Sequence, residues 1–418
     1  MEGRLSFLSL SNPSKMLARC FSSGYISPMA HEELHIRNLG PLKEIHLTDI
    51  RPIMIFVGES GSGKSLLLKT LAMMRHVTKK LLLRQAFHLN EVKSPFRLRT
   101  DSYLQYSGLQ TLITSETEVE YGWTQEGQQK MEISLKGRKL VYPRKLALSA
   151  SSIPYLKIGF IGDMRTLVPL WAQKGASFQS KILDNYFSET FSLWEDAIQS
   201  LERQKDFRML GRGVQVRKGN DSRKHLLLTE KDGRTTFLER GATGEKSAIP
   251  LLSIARYLIQ DFPLREAVKR NFLEQIIEEK QKADGTLDMK NVWGALSFVH
   301  LFLMIEEPEL SLDPGSQVKL LEEFLELLKS SKTREGEPIT VEAMFTTHSP
   351  YWIVALNTLL QEKNDVLRWD DLGGYWLQKD GKATELRNEE VELLETPNMD
   401  ETTEELERRF QQALKQES

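Results

Sequence analysis

The chain has 418 residues, with 56 Lys and Arg against 58 Asp and Glu, a formal charge of −2 at pH 7, 40% hydrophobic and 27% charged residues. That balance excludes a global electrostatic attraction for nucleic acid, a wholly disordered chain and, with 26 Gly and 15 Pro, a fibrous one. The single cysteine, Cys20, excludes an intramolecular disulfide and a Cys-rich zinc site, and points to a reducing, cytoplasmic setting.

Residues 1–30 carry Arg4, Lys15 and Arg19 among many serines and are expected to be a flexible extension, with a transit peptide as the weaker reading. No apolar run approaches the ~20 residues of a membrane span, so no membrane association is expected. Order is predicted from Glu33: a strand, the Gly40–Pro41 turn and a second strand to Ile45. Ile53 to Val57 reads as a buried strand, followed by a Gly-rich loop and a helix over Lys64 to Lys80. From Glu118 to Tyr142 apolar residues alternate as in antiparallel strands, with turns at Glu126–Gly127 and Lys136–Gly137.

Leu167 to Gln204 is predicted to be mainly helical. Strands follow at Val214–Val216 and Leu226–Leu228 with a turn at Asp232–Gly233, then helices over Glu245 to Gln281. Leu301 to Ile305 reads as a second buried strand, Pro314 to Leu328 as an amphipathic helix, Ile339 to Thr346 as a third strand, and Tyr375 to Leu377 as the start of a hairpin. The remainder is acidic and ends in a helix with Leu406, Phe410 and Leu414 on one stripe, suited equally to its own domain or to a partner.

Gly58-Glu59-Ser60-Gly61-Ser62-Gly63-Lys64-Ser65 matches the phosphate-binding pattern G-x-x-x-x-G-K-[ST], placed between a predicted strand and a predicted helix. Glycines let successive backbone N–H groups point into a phosphate, and the following helix presents its positive end to the same anion. Lys64 is then placed on the β- and γ-phosphates of ATP and the Ser65 hydroxyl on Mg²⁺. Such a loop needs a carboxylate on a neighbouring strand, and Leu301 to Ile305 ends in Glu306-Glu307-Pro308-Glu309. Glu306 takes the magnesium side, and Glu307 is the candidate base for the attacking water. Asp313 and Pro314 open the next helix as N-cap and N1, and His348, at the tip of the third strand, is a candidate γ-phosphate contact.

In this order the motifs resemble an ABC-type ATPase. The resemblance implies an α/β fold: a P-loop head with a mixed β-sheet core, an antiparallel β subdomain and an inserted, largely helical lobe. It divides the chain into a head over 31–386 (31–150 with the P-loop and β lobe, 160–295 with a signature loop, 296–386 with the second acidic motif and His348) and an acidic tail over 387–418. The signature candidate is Gly241-Ala242-Thr243-Gly244-Glu245-Lys246-Ser247, without the paired glycines of transporters. The resemblance puts Thr243, Gly244, Glu245 and Asp313 among the nucleotide contacts and implies two subunits clamping ATP between them.

Further details resemble the OLD-like ATPases of bacterial anti-phage systems, including the ATPase subunits of PARIS and Septu. They are Leu34 to Glu44, the segment Ile161-Gly162-Asp163-Met164-Arg165, and Thr347-His348-Ser349-Pro350. This implies a sensor or regulator that holds a separate, co-encoded effector nuclease or toxin and responds to a nucleic-acid or phage-protein trigger. The short remainder after His348 leaves no place for a Toprim nuclease domain, and Asp370–Asp371 reads as a turn. Arg165 and Arg240 are further candidates for nucleotide contact on the resemblance alone. The alternative is a RecF- or SMC-like DNA-maintenance ATPase. It would use the basic segments Arg75 to Arg99 and Arg203 to Lys224, which read slightly better as solvated helix faces.

Overall fold

The computed structural model describes residues 30–89, 98–125, 130–146, 153–172, 185–204, 207–219, 223–270, 296–336, 339–362, 367–396 and positions 408, 409 and 412. β1 (Ala30–Leu39) turns at Gly40, φ +55°, into β2 (Leu42–Leu47), whose Leu42, Ile45 and Leu47 point inward. β3 (Ile53–Gly58) is buried along its length and feeds α1 (Lys64–Leu89). α1 runs well past the expected end at Lys80. Leu81, Leu82, Leu83 and Ala86 are buried, and the Lys79 and Lys80 ammonium groups lie over the rings of Tyr155 and Tyr103. Their aliphatic stems cover apolar surface while the charge sits on a π face.

After α2 (Thr100–Tyr106) come β4 (Glu118–Gln125), β5 (Met131–Lys136) and β6 (Lys139–Val141). With the first two strands they form an antiparallel sheet in the order β2-β1-β4-β5-β6. β7 (Ile153–Ile161) precedes α3 (Val168–Ala172) and α4 (Asn185–Glu202). A second antiparallel sheet follows, β8 (Phe207–Met209), β9 (Arg212–Lys218), β10 (Lys224–Thr229) and β11 (Thr235–Phe237), and then α5 (Thr243–Gln260). The chain continues through β12 (Leu296–Glu306), α6 (Pro314–Leu328), β13 (Ile339–Thr347), α7 (Pro350–Gln361), β14 (Leu372–Leu377) and β15 (Ala383–Glu385).

The central sheet has the order β15-β14-β3-β13-β12-β7, parallel except for β15. Its strands alternate between two apolar layers, as a period of two requires. Ile53, Ile55 and Val57 face a core shared with α4, α5, α6 and α7, whereas Met54 and Phe56 face α1 and the first antiparallel sheet. β7 has no counterpart among the predicted strands, because Pro154 and Gly159 interrupt its apolar pattern. Both fit the position it occupies. β7 is the edge strand, where a missing N–H costs no ladder bond, and a Cβ on Gly159 would lie 2.6 Å from Leu258 of α5.

The fold also continues beyond the boundary expected at 386. β16 (Arg387–Asn388) pairs with β17 (Leu393–Leu394), Arg387 stacks 3.6 Å from the Trp369 ring centroid, and Asn357 of α7 exchanges two hydrogen bonds with Leu394. Asp370 and Asp371 lie in a 3-10 turn, where buried Asp371 binds Arg368. The 1–29 extension, the Glu126–Gly127 turn, the helices expected from 271 to Gln281, and the Leu406, Phe410 and Leu414 stripe lie outside the described residues. No described helix is long and apolar enough to cross a membrane.

One ionic cluster interrupts the apolar layer. Arg75 of α1 is fully buried, with Nη2 2.9 Å from Glu342 of β13 and Nε 3.0 Å from Glu32 of β1. Tyr121 of β4 donates to Glu32, His300 of β12 lies 2.7 Å from Glu342, and the guanidinium rests 3.7 Å from the Phe302 ring centroid. Burial alone would lower the Arg75 pKa, but Glu32 and Glu342 outweigh it and leave it raised. Removing only the cation leaves two carboxylates without a partner in low dielectric. Arg75→Met should therefore cost about 3–5 kcal/mol in urea unfolding, and a loss under 1 kcal/mol would show the cluster to be hydrated and unimportant.

Candidate functional site

Register brings the site together before any side chain does. Val57 pairs with Thr347, and Thr346 with Glu306, so β3, β13 and β12 end side by side. The P-loop, His348 and the Glu306–Glu307 pair leave from those three ends, at the carboxyl edge where open α/β sheets place their ligands. Two glycines shape the loop: Gly61 at φ +82° and Gly63 at φ +96°. A Cβ on Gly63 would also lie 2.5 Å from Leu42 in the turn region of the first sheet.

All three predicted catalytic side chains meet. Lys64 Nζ lies 3.3 Å from His348 Nδ1, and His348 Nε2 lies 3.1 Å from Glu307 Oε1. An ammonium can only donate, which assigns Nδ1 as acceptor and Nε2–H as donor to the carboxylate. Lys64 also donates to the carbonyls of Gly58 and Glu59, at 2.7 and 2.8 Å. Burial lowers its pKa to about 8, against the opposing pull of Glu307, Glu309 and Glu59.

The predicted metal pair meets as well. The Ser65 hydroxyl and the Asp163 backbone N–H donate to the Glu306 carboxylate. Burial pushes that carboxyl above its usual range; Lys69 opposes the shift, the Asp163 charge adds to it, and the Ser65 hydrogen bond opposes it. Glu306 Oε1 is buried with no hydrogen-bond partner. An orphaned carboxylate oxygen beside a hydroxyl fits a hard cation such as Mg²⁺, which keeps several waters and takes few protein ligands. Among the described residues no group of three His, Cys, Asp or Glu offers an all-protein metal cage.

The remaining predicted contacts divide. Gly58 abuts the Leu377 carbonyl, Glu59 pairs with Lys379 of the β14–β15 hairpin, and the Ser62 hydroxyl is buried without a partner. Ser60 and Gly61 are exposed at the loop tip. Asp313 is the N-cap of α6, accepting from Ser316 N at 3.2 Å, with Pro314 at the first helical position. Thr243 is exposed at the start of α5, where Ala242 supplies no capping side chain. Gly244 packs on the Ser311 carbonyl and Leu312, where a Cβ would not fit. Glu245 departs from expectation: it accepts from Ala242 N at 2.9 Å and pairs with Arg212 at 2.8 Å, so its carboxylate is committed to its own helix start.

Arg165 departs further. It is fully buried on the 3-10 turn Asp163–Leu167 and bonded to protein acceptors, where no phosphate reaches it. Burial lowers its pKa to about 10, opposed by Glu309, Asp163, Glu306 and Glu307. Arg240 is exposed in the turn Leu238–Arg240. Two residues given no role by sequence reasoning support the site. Glu309 accepts the His348 N–H at 2.7 Å, and Gln317 bridges Ser349 Oγ at 2.6 Å to the Leu312 carbonyl at 3.0 Å. Glu309 was visible within the acidic motif; Gln317, inside a helix, carried no signal.

No protein-family model and no curated protein matches the sequence. In three dimensions the chain is similar to the SMC head domain from Thermotoga maritima, at 12% identity and a TM-score of 0.37, covering 86% of this chain and 99% of that one. It is similar to an SMC head bound to the C-winged helix domain of ScpA, at 12% identity and a TM-score of 0.38, covering 87% and 99%. An SMC head bound to the C-terminal domain of ScpA derived from Pyrococcus furiosus gives 10% and 0.38, covering 87% and 98%.

The Lys64 environment sets a pH dependence. Below about 8 the side chain carries its charge, and above it the charge is lost. If the loop holds a triphosphate, as its motif implies, only the protonated form attracts it, and affinity for ATP should fall as pH rises, to about tenfold weaker at pH 9 than at pH 7. Fluorescence titration with ATP should show this slope in the wild type and a flat, weak response in Lys64→Met.

Proposed function

We propose that the chain is a magnesium-dependent ATPase of the ABC type. The observation that carries this reading is the hydrogen-bonded chain Lys64–His348–Glu307 lying beside the Ser65–Glu306 pair at one sheet edge. The P-loop amides and Lys64 would hold the β- and γ-phosphates. Mg²⁺, when bound by Ser65 and Glu306, would neutralise charge on those phosphate oxygens. Glu307 would orient a water and accept its proton as the water oxygen bonds to the γ-phosphorus and the bond to ADP breaks. His348, held by Glu309 through its backbone, keeps the base and Lys64 in line.

Thr243 opens α5 at an exposed position, which suits a contact made by another copy. The reading therefore includes ATP-dependent self-association, with γ-phosphate contacts favouring the closed assembly and hydrolysis releasing it. The resemblance of the motifs to OLD-like ATPases supports a role as sensor or regulator in anti-phage defence, acting on a co-encoded effector nuclease or toxin. Direct DNA binding, the alternative, would rest on exposed cations of the second basic segment such as Arg208 and Arg217, since others are engaged within the chain. Arg75 is buried, Arg84 donates to the Arg144 carbonyl, Arg203 pairs with Asp261, and Lys218 and Lys224 pair with Glu202.

Glu307→Gln keeps the shape and removes the base. It should lower ATP turnover by at least about 100-fold while ATP binding and ATP-dependent association, read by gel filtration, persist. Turnover equal to wild type would exclude Glu307 as the base.

A further inference from the structure

The proposed ATPase chemistry needs Glu307 held in one conformation, and that conformation is a costly one. Glu307 sits at φ +43°, in the left-handed region that non-glycine residues rarely adopt. Such a residue persists only where its surroundings over-determine it. Its N–H continues the ladder to the Thr346 carbonyl at 2.9 Å. Its carbonyl accepts from Leu310 N and from Arg165 Nη2, the latter at 2.5 Å.

Arg165 spends its whole fork on three segments. Nη1 donates to the carbonyls of Glu306 at 2.6 Å and Gly162 at 3.1 Å. Nε donates to the Ser247 carbonyl at 3.1 Å, and Nη2 also reaches Ser247 Oγ at 2.9 Å. A guanidinium has five N–H donors, and these contacts account for all of them. Ser247 lies one turn into α5, whose first turn is exposed at Thr243 and packed through Gly244 on Ser311, in the loop that follows Glu307. The start of α5 is thus tied to the Glu307 backbone by a rigid buried fork and by direct packing.

Resting on the ATPase reading above, we propose that Arg165 is a positioning residue that couples α5 to Glu307: a contact made at the α5 N-terminus is felt at the catalytic carboxylate through Ser247 and Arg165. The coupling sets turnover without setting ATP affinity, because the guanidinium touches the backbone behind the base and no part of the phosphate seat. A lysine at 165 keeps a cation but offers one point in place of a planar fork. Alanine at 247 removes only the hydroxyl leg and leaves the carbonyl leg intact.

The experiment compares wild type, Arg165→Lys and Ser247→Ala for kcat, KM and ATP sites per chain, each with and without Glu307→Gln. Expected values per ATP-binding site are a kcat about tenfold or more lower for Arg165→Lys and a few-fold lower for Ser247→Ala, with KM within about twofold. In the Glu307→Gln background the Ser247→Ala loss should vanish, since the base it positions is gone. Equal kcat per site in wild type and Ser247→Ala, or an undiminished Ser247→Ala loss without Glu307, overturns the coupling while leaving the ATPase assignment intact. Should Arg165→Lys fail to fold, Ser247→Ala decides alone. Absence of turnover in wild type overturns the ATPase reading and the coupling together.

Discussion

The candidate site depends on one constraint, the parallel register of β3, β13 and β12. The pairing of Val57 with Thr347 and of Thr346 with Glu306 makes three loops leave the sheet at one level. A register slip of one residue would turn every side chain on a strand to the opposite layer. Met54 and Phe56 would then face the helices that Ile53, Ile55 and Val57 now cover, so the packing that divides the two cores also fixes the P-loop. Site geometry is in this sense a by-product of core burial.

Among the described residues two arginines, Arg75 and Arg165, are fully buried, and they solve different problems. Arg75 is matched by two carboxylates, Glu32 and Glu342, and locks α1 to strands of both sheets. Its role is to fix the P-loop helix against its surroundings, and its charge is balanced by groups that cannot leave. Arg165 is matched by carbonyl and hydroxyl oxygens, and the four carboxylates near it are only longer-range compensation. A cation satisfied by backbone dipoles holds loop shape without drawing a carboxylate away from the site. That distinction leaves the Glu306 and Glu307 side chains out of the Arg165 contacts.

Much of the site was legible in the sequence, because each motif joined a local rule to a local shape. The P-loop between an apolar strand and a helix, twin acids ending a buried strand, and an N-cap Asp followed by Pro are all short-range signals, and Asp313 and Pro314 fall where those rules put them. Strand pairs with clean alternation, such as Leu34 to Leu47, were equally readable. β7 was not, since Pro154 and Gly159 look like breakers until the edge position and the close approach of α5 are known. The end of α1 was misread for a related reason: Lys79 and Lys80 look like a solvent-exposed stop, and only the rings of Tyr155 and Tyr103 make them internal to the helix.

Charge density along the sequence says little about which cations are committed within the fold, and the reason is physical. How far a cation is committed within the chain depends on partners that tertiary contacts bring from far away in sequence. Arg75 meets Glu342 and Arg203 meets Asp261, neither of which a window around its basic segment would contain. The same argument works in reverse for Glu306, whose burial, orphaned oxygen and Ser65 contact mark it as the carboxylate waiting for a cation. Burial of a carboxylate in a low-dielectric setting is expensive, and at Glu306 Lys69, the Ser65 hydroxyl and the Asp163 N–H offset only part of that cost.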